Sequence, residues 1–80
     1  MPLVLLEGGF AVRIYLNDHP PAHVHVLNAG GEARIMLEPV RVDAVWDMKL
    51  KDVARARRLV LLHRGNLLKR WREIHERPDD

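Results

Sequence analysis

Hydrophobic and polar residues alternate with period two through the first half of the chain. Phe10, Val12, Ile14 and Leu16 fall on one side and Ala11, Arg13, Tyr15 and Asn17 on the other, the pattern of a half-buried strand over 10–17. Its β-branched and aromatic content supports that reading. Glu7-Gly8-Gly9 is a turn signal, which makes Leu3–Leu6 a short preceding strand. Asn17-Asp18-His19-Pro20-Pro21 interrupts the pattern, because two prolines remove two backbone donors. Alternation then resumes over 22–27, with Ala22, Val24 and Val26 on one face and His23 and His25 on the other. Asn28-Ala29-Gly30-Gly31 is a hairpin loop. It leads into 32–38, with Ala33, Ile35 and Leu37 opposite Glu32, Arg34, Met36 and Glu38. Residues 42–46 are a candidate for a last short strand.

The second half changes to helical period. At 100° per residue, Leu50, Val53, Ala54, Ala56, Val60, Leu61, Leu67, Leu68, Trp71 and Ile74 share one broad sector, with Leu59 and Leu62 outside it. The phase runs through Gly65, so the pattern predicts one long helix over 50–76, stopped by Pro78, with Gly65 as the point where it can break. Arg57, Arg64 and His75 also fall in the apolar sector, so they must pair, reach solvent or meet a partner.

The fold expected is a single α+β domain over 1–80: a three- to four-stranded antiparallel sheet in 1–46, covered on its apolar face by the helix. The imidazoles of His23 and His25 should then lie on the face away from the helix. Length creates a conflict. Twenty-seven helical residues reach about 40 Å, whereas four strands are only about 19 Å wide. Either the helix folds back at Gly65, or residues 66–76 pack on a second copy or a cognate partner through Leu67, Leu68, Trp71 and Ile74.

Composition narrows the chemistry. The 80 residues include no Cys, Ser or Thr, which removes disulfides, cysteine-ligated zinc and the usual hydroxyl and thiol nucleophiles. The apolar runs are too short to span a membrane and no secretory signal is visible, so a cytoplasmic location is expected. Charge is uneven. Residues 1–48 hold three arginines against six acids, net −3, and residues 49–77 hold ten bases against three acids, net +7. A basic C-terminal third suits an anionic partner, nucleic acid or an acidic protein, or forms a solvated helix face.

His23-Val24-His25 is the sharpest local feature. Strand residues two apart project from one face about 7 Å apart. Two such imidazoles can share a divalent transition metal if Asp18, His19, Glu32 or Glu38 supplies a third ligand; otherwise no cofactor is expected, and the pair are polar residues on a solvent-facing strand. The same face gathers Arg13, Tyr15, Asn17, Glu32 and Arg34. Histidine moves protons near neutral pH, arginine clamps phosphate, and tyrosine stacks on bases. For RNA chemistry, His23 and His25 are the candidate acid/base groups and Arg13 and Arg34 the phosphate clamp. Tyr15, Asp18, His19, Arg64 and Trp71 are candidate binding residues, although Trp71 also suits plain core packing.

Met1-Pro2, Glu7-Gly8-Gly9-Phe10, the block Asn17-Asp18-His19-Pro20-Pro21 leading into His23-Val24-His25-Val26, and His63-Arg64 followed by Leu67-Leu68 and Trp71 together resemble a small bacterial and archaeal domain of unknown function. Some of its members are named as DhiT-type toxins of type II toxin–antitoxin pairs. The resemblance covers nearly the whole chain. It implies a toxin encoded beside a cognate antitoxin, with RNA as the substrate suggested by the polar sheet face, and maps Asp18, His19, His23, His25, Arg64 and Trp71 onto the family's motif. A glycine common before the family's helix is absent near Asp47. The alternative is a non-enzymatic module that binds protein or nucleic acid, with or without a His-x-His metal.

Overall fold

Three of the four strand-to-strand connections are two-residue turns, and local chemistry explains two of them. Glu7 pairs with Phe10 across Gly8-Gly9, and Asn28 pairs with Gly31 across Ala29-Gly30; all four turn residues have positive φ. Such turns match the natural twist of an antiparallel pair. The computed structural model describes residues 3–75. Its strands are β1 (Leu3–Glu7), β2 (Phe10–Arg13), β3 (His23–Asn28), β4 (Gly31–Leu37) and β5 (Val40–Trp46), followed by helices α1 (Leu50–Leu62) and α2 (Arg64–His75). The strands form one antiparallel sheet in chain order. The α+β class is as expected, but the sheet has five strands rather than three or four, and two helices replace one.

Both edge strands account for the wider sheet. β1 pairs with β2 as far as Leu3 opposite Arg13. β5 pairs along all of β4 but carries a bulge: Arg34 faces Ala44 while Ile35 faces Val42, leaving Asp43 as the extra residue. A bulge breaks period two, which is why the pattern over 40–46 is weak. Asp43 accepts from the Arg34 guanidinium at 2.7 Å. That hydrogen bond, and behind it the charge of Arg41, hold the Asp43 carboxyl below its ordinary value of 3.8. A depressed carboxyl stabilises the fold above its unfolded-state value, and the contribution fades as pH falls through the lower folded value. Asp43→Asn should therefore lower the melting temperature slightly at neutral pH, and the gap to wild type should close as pH falls below 3.8.

Phe10, Val12, Ile14, Val24, Val26, Ala33, Ile35 and Leu37 form the buried face as predicted. Leu16 does not join them and is 69% exposed. The strand ends at Arg13 because Asp18 captures the chain: its N–H donates to the Tyr15 carbonyl at 3.1 Å and its carboxylate accepts the Tyr15 N–H at 3.0 Å.

The helix breaks at His63 (φ −105, ψ 14), two residues before Gly65, which lies in the first turn of α2. His63 Nε2 lies 3.2 Å from the Glu7 carboxylate of β1 without hydrogen-bond geometry, so the junction sits against the sheet edge. α1 buries Ala56, Leu59 and Val60, and α2 buries Leu67, Leu68 and Trp71. Leu59, expected outside the apolar sector, is inside it, whereas Leu50 and Leu61 are exposed. One wheel drawn through both helices set the phase of α1 wrongly, because the break rotates one half against the other. Of the stripe Leu67, Leu68, Trp71 and Ile74, the first three are buried within the chain and Ile74 is partly buried against them, so the length mismatch by itself does not call for a second copy. Residue 76 and Pro78, read as the helix end and stop, lie outside the described residues. Among the described residues no helix is long and apolar enough to cross a membrane.

Candidate functional site

The one long inter-strand connection, residues 14–22, builds the site. Val24 and Val26 enter the core, so alternation places His23 and His25 on the outer face of β3. There the 14–22 connection folds back over them. The Tyr15 ring lies 4.3 Å from that of His25, and the Asp18 carboxylate reaches both imidazoles. His23 and His25 are consequently 8% and 7% exposed, not solvent-facing residues of an open sheet.

Both rings are held at both nitrogens. His23 Nδ1 is 2.9 Å from the Pro21 carbonyl oxygen, and His25 Nδ1 is 2.9 Å from a Glu32 carboxylate oxygen. On the other side, His25 Nε2 is 3.1 Å and His23 Nε2 3.5 Å from Asp18 oxygens. Asp18, His23 and His25 each offer one donor atom, and the three atoms lie within 4.8 Å of one another. Burial alone would push the Asp18 carboxyl up. The Tyr15 N–H and the two imidazoles outweigh it and hold the carboxyl below its ordinary value. Burial, then the Glu32 and Asp18 charges, raise the Tyr15 phenol against the opposing charge of Arg13, so the phenol keeps its proton at neutral pH.

The outer face also arranges the guanidiniums. His25 is directly opposite Arg13 of β2 and Arg34 of β4, so three adjacent strands present Arg13, His25 and Arg34 in one row. Arg34 is oriented by Asp43 and lies 5.6 Å from the Trp46 ring centre. One row away, Ala11, Leu27 and Glu32 line a groove of about 330 Å³. A second groove of about 250 Å³ lies between the β1–β2 turn and α1, lined by none of Asp18, His23 or His25.

The remaining candidates divide. Both imidazoles lie on the outer face of β3 as expected, but α2 reaches round the sheet to His23: the Trp71 ring is 5.2 Å from it. His23 is the first residue of β3, at the end of the sheet that the last turns of α2 cross. Trp71 is buried and stacks at 3.9 Å on His75, whose Nε2 is 3.0 Å from the Tyr15 carbonyl oxygen. His75, singled out only as a polar residue in the apolar sector, therefore ties α2 to the connection that covers the site. Arg64 lies outside the cluster and donates to the Leu37 carbonyl at 2.8 Å. His19 is exposed and Glu38 faces Arg64 and Arg72, so neither completes the cluster. Glu32 orients His25 from its far nitrogen. The Pro21 carbonyl, a backbone oxygen, has no signature in sequence.

No curated protein and no solved structure matches the chain. Residues 9–72, from the first residues of β2 through Trp71 and so across the whole cluster, match the family described as a domain of unknown function, DUF4160; the chain belongs to that family.

Proposed function

We propose that the protein acts on RNA as the toxin of a type II toxin–antitoxin pair, with the cluster around His25 as its reacting centre. The observation that carries this reading is the row Arg13–His25–Arg34 across three neighbouring strands. A phosphodiester lying on that row meets guanidinium groups on both sides of an imidazole. The attacking oxygen gives its proton to the histidine–carboxylate cluster as it bonds to phosphorus, the bond from phosphorus to the leaving oxygen breaks and that oxygen takes up a proton, and the guanidiniums neutralise the charge on the phosphate. Tyr15 and the adjacent groove supply a surface for a base. The family resemblance supports the toxin role and a cognate antitoxin.

Induced expression in a bacterial host tests the reading. Wild type should arrest growth, co-expression of the neighbouring gene product should relieve the arrest, and purified protein should cleave RNA. His25→Ala should lower cleavage by about 100-fold or more. Unimpeded growth together with intact RNA would overturn it.

A second reading rests on the groove between the β1–β2 turn and α1. Phe10, Leu59 and Leu62 give it an apolar floor, and Arg55 and Arg58 line it. That chemistry suits an acidic, amphipathic segment of a partner protein. A non-enzymatic binding module would retain such a partner and leave RNA uncut.

A further inference from the structure

We propose that Asp18, His23 and His25 together hold one divalent transition-metal ion, with zinc the best-matched occupant. The assignment rests on the geometry of the cluster and holds whether or not the substrate is RNA; with an ion bound, His25 serves that chemistry as a ligand and no longer takes the proton itself.

Hydrogen bonding fixes which nitrogen of each ring is available. The Pro21 carbonyl can only accept, so His23 Nδ1 carries the hydrogen of that 2.9 Å contact. The Glu32 carboxylate likewise accepts from His25 Nδ1 at 2.9 Å. In the neutral rings both Nε2 atoms are then bare lone pairs, and both point at Asp18. An ionised Asp18 offers only further lone pairs. Three acceptors converging at one buried point need a positive species among them, either a proton on one imidazole or a metal ion.

Distances favour a metal ion there. Donors arranged tetrahedrally around zinc, with bonds of about 2.1 Å, are separated by about 3.4 Å. With Asp18 Oδ1 as the ligand atom, two edges of the cluster measure 3.2 and 3.5 Å, and one donor atom from each residue falls within 4.8 Å of the others. The outer contacts agree. A metal-bound histidine almost always donates its other N–H to a carbonyl or carboxylate, which fixes its tautomer and orientation. Pro21 and Glu32 do this for the two rings. Asp18 is fixed in turn by the Tyr15 N–H at 3.0 Å. Asp18 and Glu32 also supply two negative charges to balance a dication. Two imidazoles and one carboxylate select zinc, iron, cobalt or nickel over calcium or magnesium. Three protein ligands leave a coordination position for water.

The test uses the full chain, stripped with chelator, dialysed, and titrated with Zn²⁺ by calorimetry and with Co²⁺ by visible absorption. Wild type should take up one equivalent with Kd at or below about 1 µM, and Co²⁺ should give the intense bands of a low-coordinate site. His23→Ala, His25→Ala and Asp18→Asn should each weaken binding about 100-fold or more. Glu32→Gln leaves every ligand in place and should weaken it about 10- to 100-fold. This variant keeps the test decisive if a ligand variant fails to fold. His63→Ala, outside the cluster, should bind as wild type does. A wild type that takes up no stoichiometric Zn²⁺ or Co²⁺, or folded ligand variants that bind as tightly as wild type, would overturn the site. Zinc uptake with intact RNA would support the site and contradict only the RNA reading.

Discussion

Trp71→Ala should destabilise the protein by about 3–5 kcal/mol, the cost of truncating a large buried aromatic. Trp71 is 2% exposed and belongs to the cluster that joins α2 to the sheet. It also covers one side of His23 and carries the stacked ring of His75. A small domain has about 5–15 kcal/mol in total, so the loss takes a large share of it. Urea denaturation should show a much lower midpoint with an unchanged slope. A shift worth less than about 1 kcal/mol would mean that the indole is solvated and that α2 does not pack as described.

Gly31→Ala should cost about 1–3 kcal/mol, the range for forcing an extra methyl into a packed site. Gly31 closes the β3–β4 hairpin, and a Cβ there would collide with the Asp47 carbonyl oxygen and lie 3.1 Å from Met48 Cα. Its neighbours are backbone atoms, so no side chain can swing aside. The link from β5 into α1 would have to move instead. Gly65→Ala supplies a control of opposite sign. Nothing lies within 4 Å of a Cβ at Gly65, which sits in α2, so alanine should stabilise by up to about 1 kcal/mol. Equal and small effects at both positions would contradict the close approach at Gly31.

Much of the fold is legible in the pattern of side chains, and the exceptions have physical causes. Val12, Ile14, Val24, Val26, Ala33, Ile35 and Leu37 alternate cleanly and are all buried. Leu16 continues the alternation yet is exposed, because a side chain–backbone bond from Asp18 ends the strand, and binary patterning does not see such a bond. The β5 bulge at Asp43 hides a strand for a related reason: one extra residue shifts every later side chain to the other face. The helix break at His63 has no glycine or proline of its own. It follows from the need to keep both Val60 and Trp71 over one small sheet, a tertiary demand.

The site was legible in part. His23 and His25 announce themselves by spacing, and Asp18 and Glu32 are the nearest carboxylates in the chain. Periodicity places the imidazoles on one face, but not under a covering connection. That cover arises because the proline-rich segment folds back over β3. The division of labour between Asp18 at Nε2 and Glu32 at Nδ1 depends on tautomer and register, which are visible only once β3 and β4 are paired.

Diffraction from crystals grown with zinc, recorded on both sides of the zinc absorption edge, tests the central claim most directly. One anomalous peak is expected on the outer face of β3, about 2.1 Å from the Nε2 atoms of His23 and His25 and from an Asp18 oxygen. A cluster that stays without a peak at saturating zinc, or a peak held by other residues while His23 and His25 keep their contacts, would contradict it.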